Sequence, residues 1–145
     1  MAHFVTREHI HVDRIATAWA IRRFVDPEAT FEFVRHGKDV RALIGVPFDM
    51  RGAELSHRDG HCTLEALIAK YELTDDALRR LARIIRAADL PQEEPAPAEA
   101  PGVLAIFDGI RDDCESDEER LTRGLSVCDA LYAYCRRNQR AGATM

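Results

Sequence analysis

The chain has no apolar run approaching the roughly 20 residues a bilayer-spanning helix needs, so no membrane partner is expected. Its first residues, MAHFVTRE, lack the long apolar stretch of a secretory signal, and a cytoplasmic location is the expectation. Cysteine is scarce and unpaired in pattern. Cys62, Cys114, Cys128 and Cys135 form no CxxC and no disulfide framework, so reduced thiols are expected. There is no surplus of positive charge: the net of −5 argues against direct nucleic-acid binding by this domain alone. Phosphate-cradling GxxxxGK loops, dinucleotide-binding glycine fingerprints, nucleophile elbows and HExxH zinc motifs are all absent. Nucleotide-cofactor and serine-hydrolase chemistry therefore have no sequence support.

What the chain does contain is concentrated in two short runs. The first is His9-Ile-His11-Val-Asp13-Arg14, and the second is His57-Arg-Asp59-Gly-His61-Cys62-Thr63-Leu-Glu65. Together they hold four of the six histidines, next to carboxylates and a thiol. These are the side chains that bind transition metals or shuttle protons.

The remainder reads as scaffold. With 145 residues, 46% hydrophobic and 31% charged, the chain fits one α/β domain spanning residues 1–145. Residues 4–6 are compatible with a buried strand, residues 14–25 carry a helical apolar pattern with Asp13 at the N-cap position, and residues 30–34 alternate as a strand. A short helical turn at 39–44 and a weaker strand at 46–50 follow. Strand–helix–strand order predicts a small sheet of about three parallel strands. In such sheets ligands gather outside the carboxyl ends of the strands, where both runs fall.

The C-terminal half reads as helical: residues 63–71, 75–88 capped by Thr74, 102–111, and 117–137 opened by a Ser116-x-x-Glu119 capping box. The stretch LPQEEPAPAEAP, 90–101, reads as a mobile connection within the domain. Leu121, Leu125, Cys128, Tyr132 and Cys135 form an apolar stripe that suits a core-facing helix or a homodimer seam. Arg79, Arg80, Arg83 and Arg86 form a basic face that reads first as solvated, and otherwise as a patch for oxyanions or a partner.

In an extended segment His9, His11 and Asp13 point to one side. His61 and Glu65, four apart, share a helical face. Cys62 at a helix N-terminus is expected to have its thiolate favoured by the macrodipole. Mixed imidazole and carboxylate donors suit a divalent transition metal: zinc, manganese or iron.

Longer stretches carry a family resemblance. TREHIHVDRIATAWAIRRFVD (6–26), PFDMRGAELSH (47–57), CTLE (62–65), LARIIRAAD (81–89) and DALYAYCR (129–136) closely resemble the C-terminal domain of the chromate-resistance protein ChrB. The resemblance covers most of the chain. It implies a role in bacterial chromate resistance or sensing, and marks His11, Asp13, Arg14, Asp49, His57, Cys62, Glu65 and Asp89 as pattern positions, while His9, Asp59 and His61 recede. The expected site has His11, Asp13, His57 and Glu65 on the metal, with Arg14, Asp49, Cys62 and Asp89 lining a site for a small oxyanion such as chromate. Two alternatives stand beside this binding module. One is an enzyme using the same cluster, as a chromate reductase or as a hydrolase similar to the DHH-type metal-dependent phosphoesterases, whose Asp-His-His triplet is missing here. The other is an interaction domain with no metal site.

Overall fold

The computed structural model describes residues 2–90 and 96–143. Three parallel strands, β1 (His3–Arg7), β2 (Thr30–Val34) and β3 (Val46–Pro47), lie in the order β2-β1-β3. Among the described residues five α-helices complete the domain: α1 (Val12–Ala20), α2 (Thr63–Lys70), α3 (Asp76–Asp89), α4 (Ala100–Asp113) and α5 (Asp117–Ala143). The expected α/β class with a small parallel sheet and a helical C-terminal half is what forms. Among the described residues, no helix is long and apolar enough to cross a membrane.

β1 is central because its middle residues are apolar on both faces, as a parallel strand requires. Phe4 enters the main core, Val5 joins a smaller cluster with Val34, Met50 and Ala53, and the buried Thr6 hydroxyl donates to the Phe48 carbonyl at 2.7 Å. The third strand is shorter than the 46–50 expected. After Pro47 the chain turns, Phe48 bridges Leu55, and Asp49 takes a positive φ of 48°.

α1 also differs from expectation. It begins at Val12, its N-cap is His11 without a side-chain cap bond, and it runs into a π-helical turn (Ile21–Val25) before Asp26-Pro27 stops it. Asp75, not Thr74, caps α3 by accepting from the Leu78 N–H at 2.9 Å. α4 starts at Ala100, so the predicted mobile connection is shorter at that end; its residues 91–95 lie outside the described part of the chain. Ser116 accepts from the Glu119 N–H, as the capping box requires.

The cysteine-bearing stripe of α5 is covered by the domain itself. Leu121, Cys128, Tyr132 and Cys135 are buried in the main core against α1 and α3. The α1–α5 crossing is close: a Cβ placed on Gly124 would lie 2.3 Å from Ile15 Cγ2. No side chain fits there without the helices moving apart.

Candidate carboxylate–histidine centre

Asp13 sits in the first turn of α1 yet serves another helix. Its Oδ2 accepts from the Thr63 N–H at 2.9 Å, and its Oδ1 accepts from the Leu64 N–H at 3.2 Å. Both donors belong to the otherwise unsatisfied N-terminus of α2. A carboxylate 50 residues away in sequence thus anchors the helix that the second run opens. Asp13 is only 2% exposed, and its Oδ2 also meets His57 Nε2 at 2.8 Å.

His57 gathers two further carboxylates. Its Nε2 lies 3.1 Å from Asp89 Oδ2, at the end of α3, and 3.6 Å from Asp49 Oδ1, in the turn after β3. Arg14 donates through Nε and a terminal nitrogen to the Asp49 carbonyl at 3.3 and 3.0 Å, and lies 3.5 Å from its carboxylate. Three carboxylates face one arginine and one histidine. The surplus negative charge shifts the acidities. Hydrogen bonding to Asp13, with attraction from Asp49 and Asp89, raises His57 to about 9 against opposing burial. Burial, then repulsion from Asp13 and Asp49, raises Asp89 to about 6. Burial and Asp13 likewise push Asp49 above the usual carboxylate range.

Two further details belong to this cluster. Asp49 occupies the left-handed backbone region, as do His9, Asp59 and Glu72 elsewhere in the chain, and this turns its side chain out of the strand direction after β3. Thr63 Oγ1 is the one buried side-chain polar atom without a hydrogen-bond partner of good geometry among the described residues. It lies near enough to Asp49 to ease that group's ionisation.

The donor set fits a cation. Asp13, Asp49 and His57 each offer an atom within 4.8 Å of the others, the only such group of three or more among the described residues. Two donors ~2.1 Å from a shared ion lie ~3.0–3.4 Å apart at octahedral or tetrahedral angles, close to the 2.8–3.6 Å seen around His57 Nε2.

Of the expected metal set, the structure brings Asp13 and His57 together and sets His11 and Glu65 elsewhere. His11 Nε2 pairs with Asp108 of α4 at 2.7 Å, and burial lowers its pKa despite that partner. Glu65 closes the α2 capping box from the far side: it accepts from the Cys62 N–H at 3.0 Å and pairs with Arg86 at 3.2 Å and His61 at 3.3 Å. Of the expected ligand-site residues, Asp49, Asp89 and Arg14 are at the centre.

Cys62 corrects an expectation. It is the N-cap of α2, but it is fully buried, and burial followed by the nearby Asp13 charge pushes its thiol up, not down. A helix terminus favours a thiolate only where desolvation does not dominate. This leaves the reductase reading without an accessible nucleophile at Cys62. Thr63 is the residue at the centre that sequence reasoning passed over. It stood in the run without a role, and nothing local announces that its hydroxyl is buried beside Asp49.

Fold and site together define a small α/β domain with an acid–histidine centre at the carboxyl edge of a parallel sheet. The chain belongs to the family described as ChrB, C-terminal domain, whose model matches residues 4–135. Protein ChrB of Cupriavidus metallidurans (strain ATCC 43123 / DSM 2839 / NBRC 102507 / CH34) is 37% identical over 134 residues. The match takes in 90% of this chain and 40% of that relative, so the chain spans well under half the relative's length. No solved structure matches the chain.

Proposed function

We propose that the domain is a divalent-cation-binding module acting in chromate resistance or sensing, with Asp13, Asp49 and His57 as the cation's protein donors and Asp89, 3.1 Å from the same imidazole nitrogen, adding negative charge beside them. The observation that carries this reading is the convergence of three carboxylates on one imidazole nitrogen with a single arginine nearby. Such a surplus of buried negative charge is relieved by a cation more completely than by any rearrangement of the chain. Zinc, manganese and iron all accept this mixture of donors.

A small oxyanion such as chromate is repelled by the bare centre. With a cation bound, the ion and Arg14 would present two positive groups to it, so oxyanion binding is expected to depend on the cation. What the cation supplies is charge, and the capacity to polarise a bound oxygen. Arg14 orients the ligand, while Asp89 keeps the surroundings of the imidazole negative. The same centre supports a second reading as a metal-dependent hydrolase, favoured by carboxylates that outnumber what a purely structural cation site needs. Turnover of a generic phosphodiester with manganese separates it from simple binding.

The test is metal retention by untagged protein after loading and desalting. Wild type and His11→Ala should retain zinc or manganese stoichiometrically, while Asp13→Ala and His57→Ala retain only background. Retention that is lost with His11→Ala and kept with His57→Ala rejects this centre. Chromate should then raise the melting temperature of loaded protein and leave cation-free protein unchanged.

A further inference from the structure

A cavity opens at the same edge of the sheet, beyond the turn that carries Asp49. It measures about 470 Å³ and is lined by Arg7, His36, Lys38, Arg41 and Arg51, with Asp39 as the one carboxylate. Four arginine and lysine side chains against a single acid make a positive pocket in a chain whose net charge is −5.

The one acid is already engaged. Asp39 accepts from the Arg41 side chain at 3.0 and 3.2 Å and from its backbone N–H at 2.9 Å. Lys38 and Arg51 have no ion-pair or hydrogen-bond partner among the described residues. Arg7 lies 2.6 Å from His36 Nδ1. A guanidinium only donates, so Nδ1 is the acceptor and the His36 proton sits on Nε2, a further donor. The pocket adjoins the carboxylate–histidine centre. Met50, Arg51 and Gly52 on its wall follow Asp49 directly, and the Arg14 guanidinium, lowered mainly by burial and held up by Asp49, also feels repulsion from Arg7.

With Arg41 paired to Asp39, the remaining Arg7, Lys38 and Arg51 are like charges held together, which favours an anion between them. Size narrows its identity. A bare tetrahedral oxyanion has the bulk of roughly two waters, each about 30 Å³, and would leave most of the cavity empty. Val40 and Met50 supply an apolar wall that an inorganic anion does not use. We propose that this pocket receives an organic ligand bearing two or more negative charges on phosphate groups, bound by Arg7, Lys38 and Arg51. This goes beyond the cation reading and stands without it.

Calorimetric titration of cation-free protein, dialysed free of chelator, tests the pocket with fructose 1,6-bisphosphate as probe and inorganic phosphate as comparison. The bisphosphate is expected to bind about tenfold more tightly than phosphate, and Lys38→Glu and Arg51→Glu each to weaken it about tenfold or more with unchanged melting temperatures. Arg79→Glu, a charge reversal at an exposed position of α3 outside the pocket, should leave the affinity within twofold. Absence of saturable bisphosphate binding, equal affinity for inorganic phosphate, or indifference to both charge reversals overturns the proposal. Because no cation is present, failure here is distinct from failure of metal retention.

Discussion

Two buried acidic junctions lie at either end of the same short run, and they resolve their charge in opposite ways. At one end, Asp117 of α5 accepts from the His9 and Ile10 N–H groups at 2.9 Å each and pairs with Arg120 at 3.1 Å. Arg120 in turn donates to the Cys114 and Arg111 carbonyls, at 2.8 and 3.1 Å, where α4 ends. Every partner is matched, and the junction fixes how the loop enters α1. At the other end, Asp13 caps α2 but also stands among Asp49, Asp89 and His57, with more negative charge than Arg14 and His57 offset. Balanced burial reads as architecture. Unbalanced burial that the fold nevertheless maintains reads as a site waiting for a partner.

Arg120→Ala is expected to have the largest effect on the fold. It leaves Asp117 buried without its cation and two carbonyls without donors, a loss of about 3 kcal/mol in urea denaturation, with cation affinity little changed in the molecules that fold. Asp89→Asn should do the reverse. It removes a carboxylate that its neighbours disfavour, so cation-free protein should be as stable as wild type or more so, while cation affinity falls about 10–100-fold. Equal destabilisation by the two substitutions would erase the contrast between the junctions.

The smallest expected effect is a pH dependence. His57 titrates at about 9 in the folded, cation-free chain, against an ordinary value of 6.5. The folded state therefore binds the proton more tightly than the unfolded one. The resulting stability is fully present below about 6.5 and is lost as pH rises through about 9. Melting curves of wild type and His57→Gln should converge across that window, and His57 is exposed enough that solvent screening keeps the change small. Parallel curves would mean that the three carboxylates do not hold the proton on His57.

Local pattern made much of this legible. β2 forms over the predicted residues 30–34, and the buried face of α3 is read directly from Leu78, Leu81, Ala82 and Ile85. The two runs were visible as composition, and the family resemblance brought Asp49 and Asp89 into view. Their grouping was not legible. His11 and Asp13 share a strand-like spacing, yet α1 begins between them, so the two side chains leave in different directions toward Asp108 and His57. Glu65 meets His61, as predicted, but its other partner there is Arg86 rather than any group of the carboxylate–histidine centre.

By itself the sequence determined the α/β class, the helical second half and the residue types that chemistry would draw on, because each is set by periodicity and local propensity over a few neighbours. Only the tertiary structure decided which acids meet at His57, that Asp13 caps a helix far along the chain, and that burial overrides the helix dipole at Cys62. Those outcomes depend on distance and desolvation between segments remote in sequence, and no local pattern encodes either.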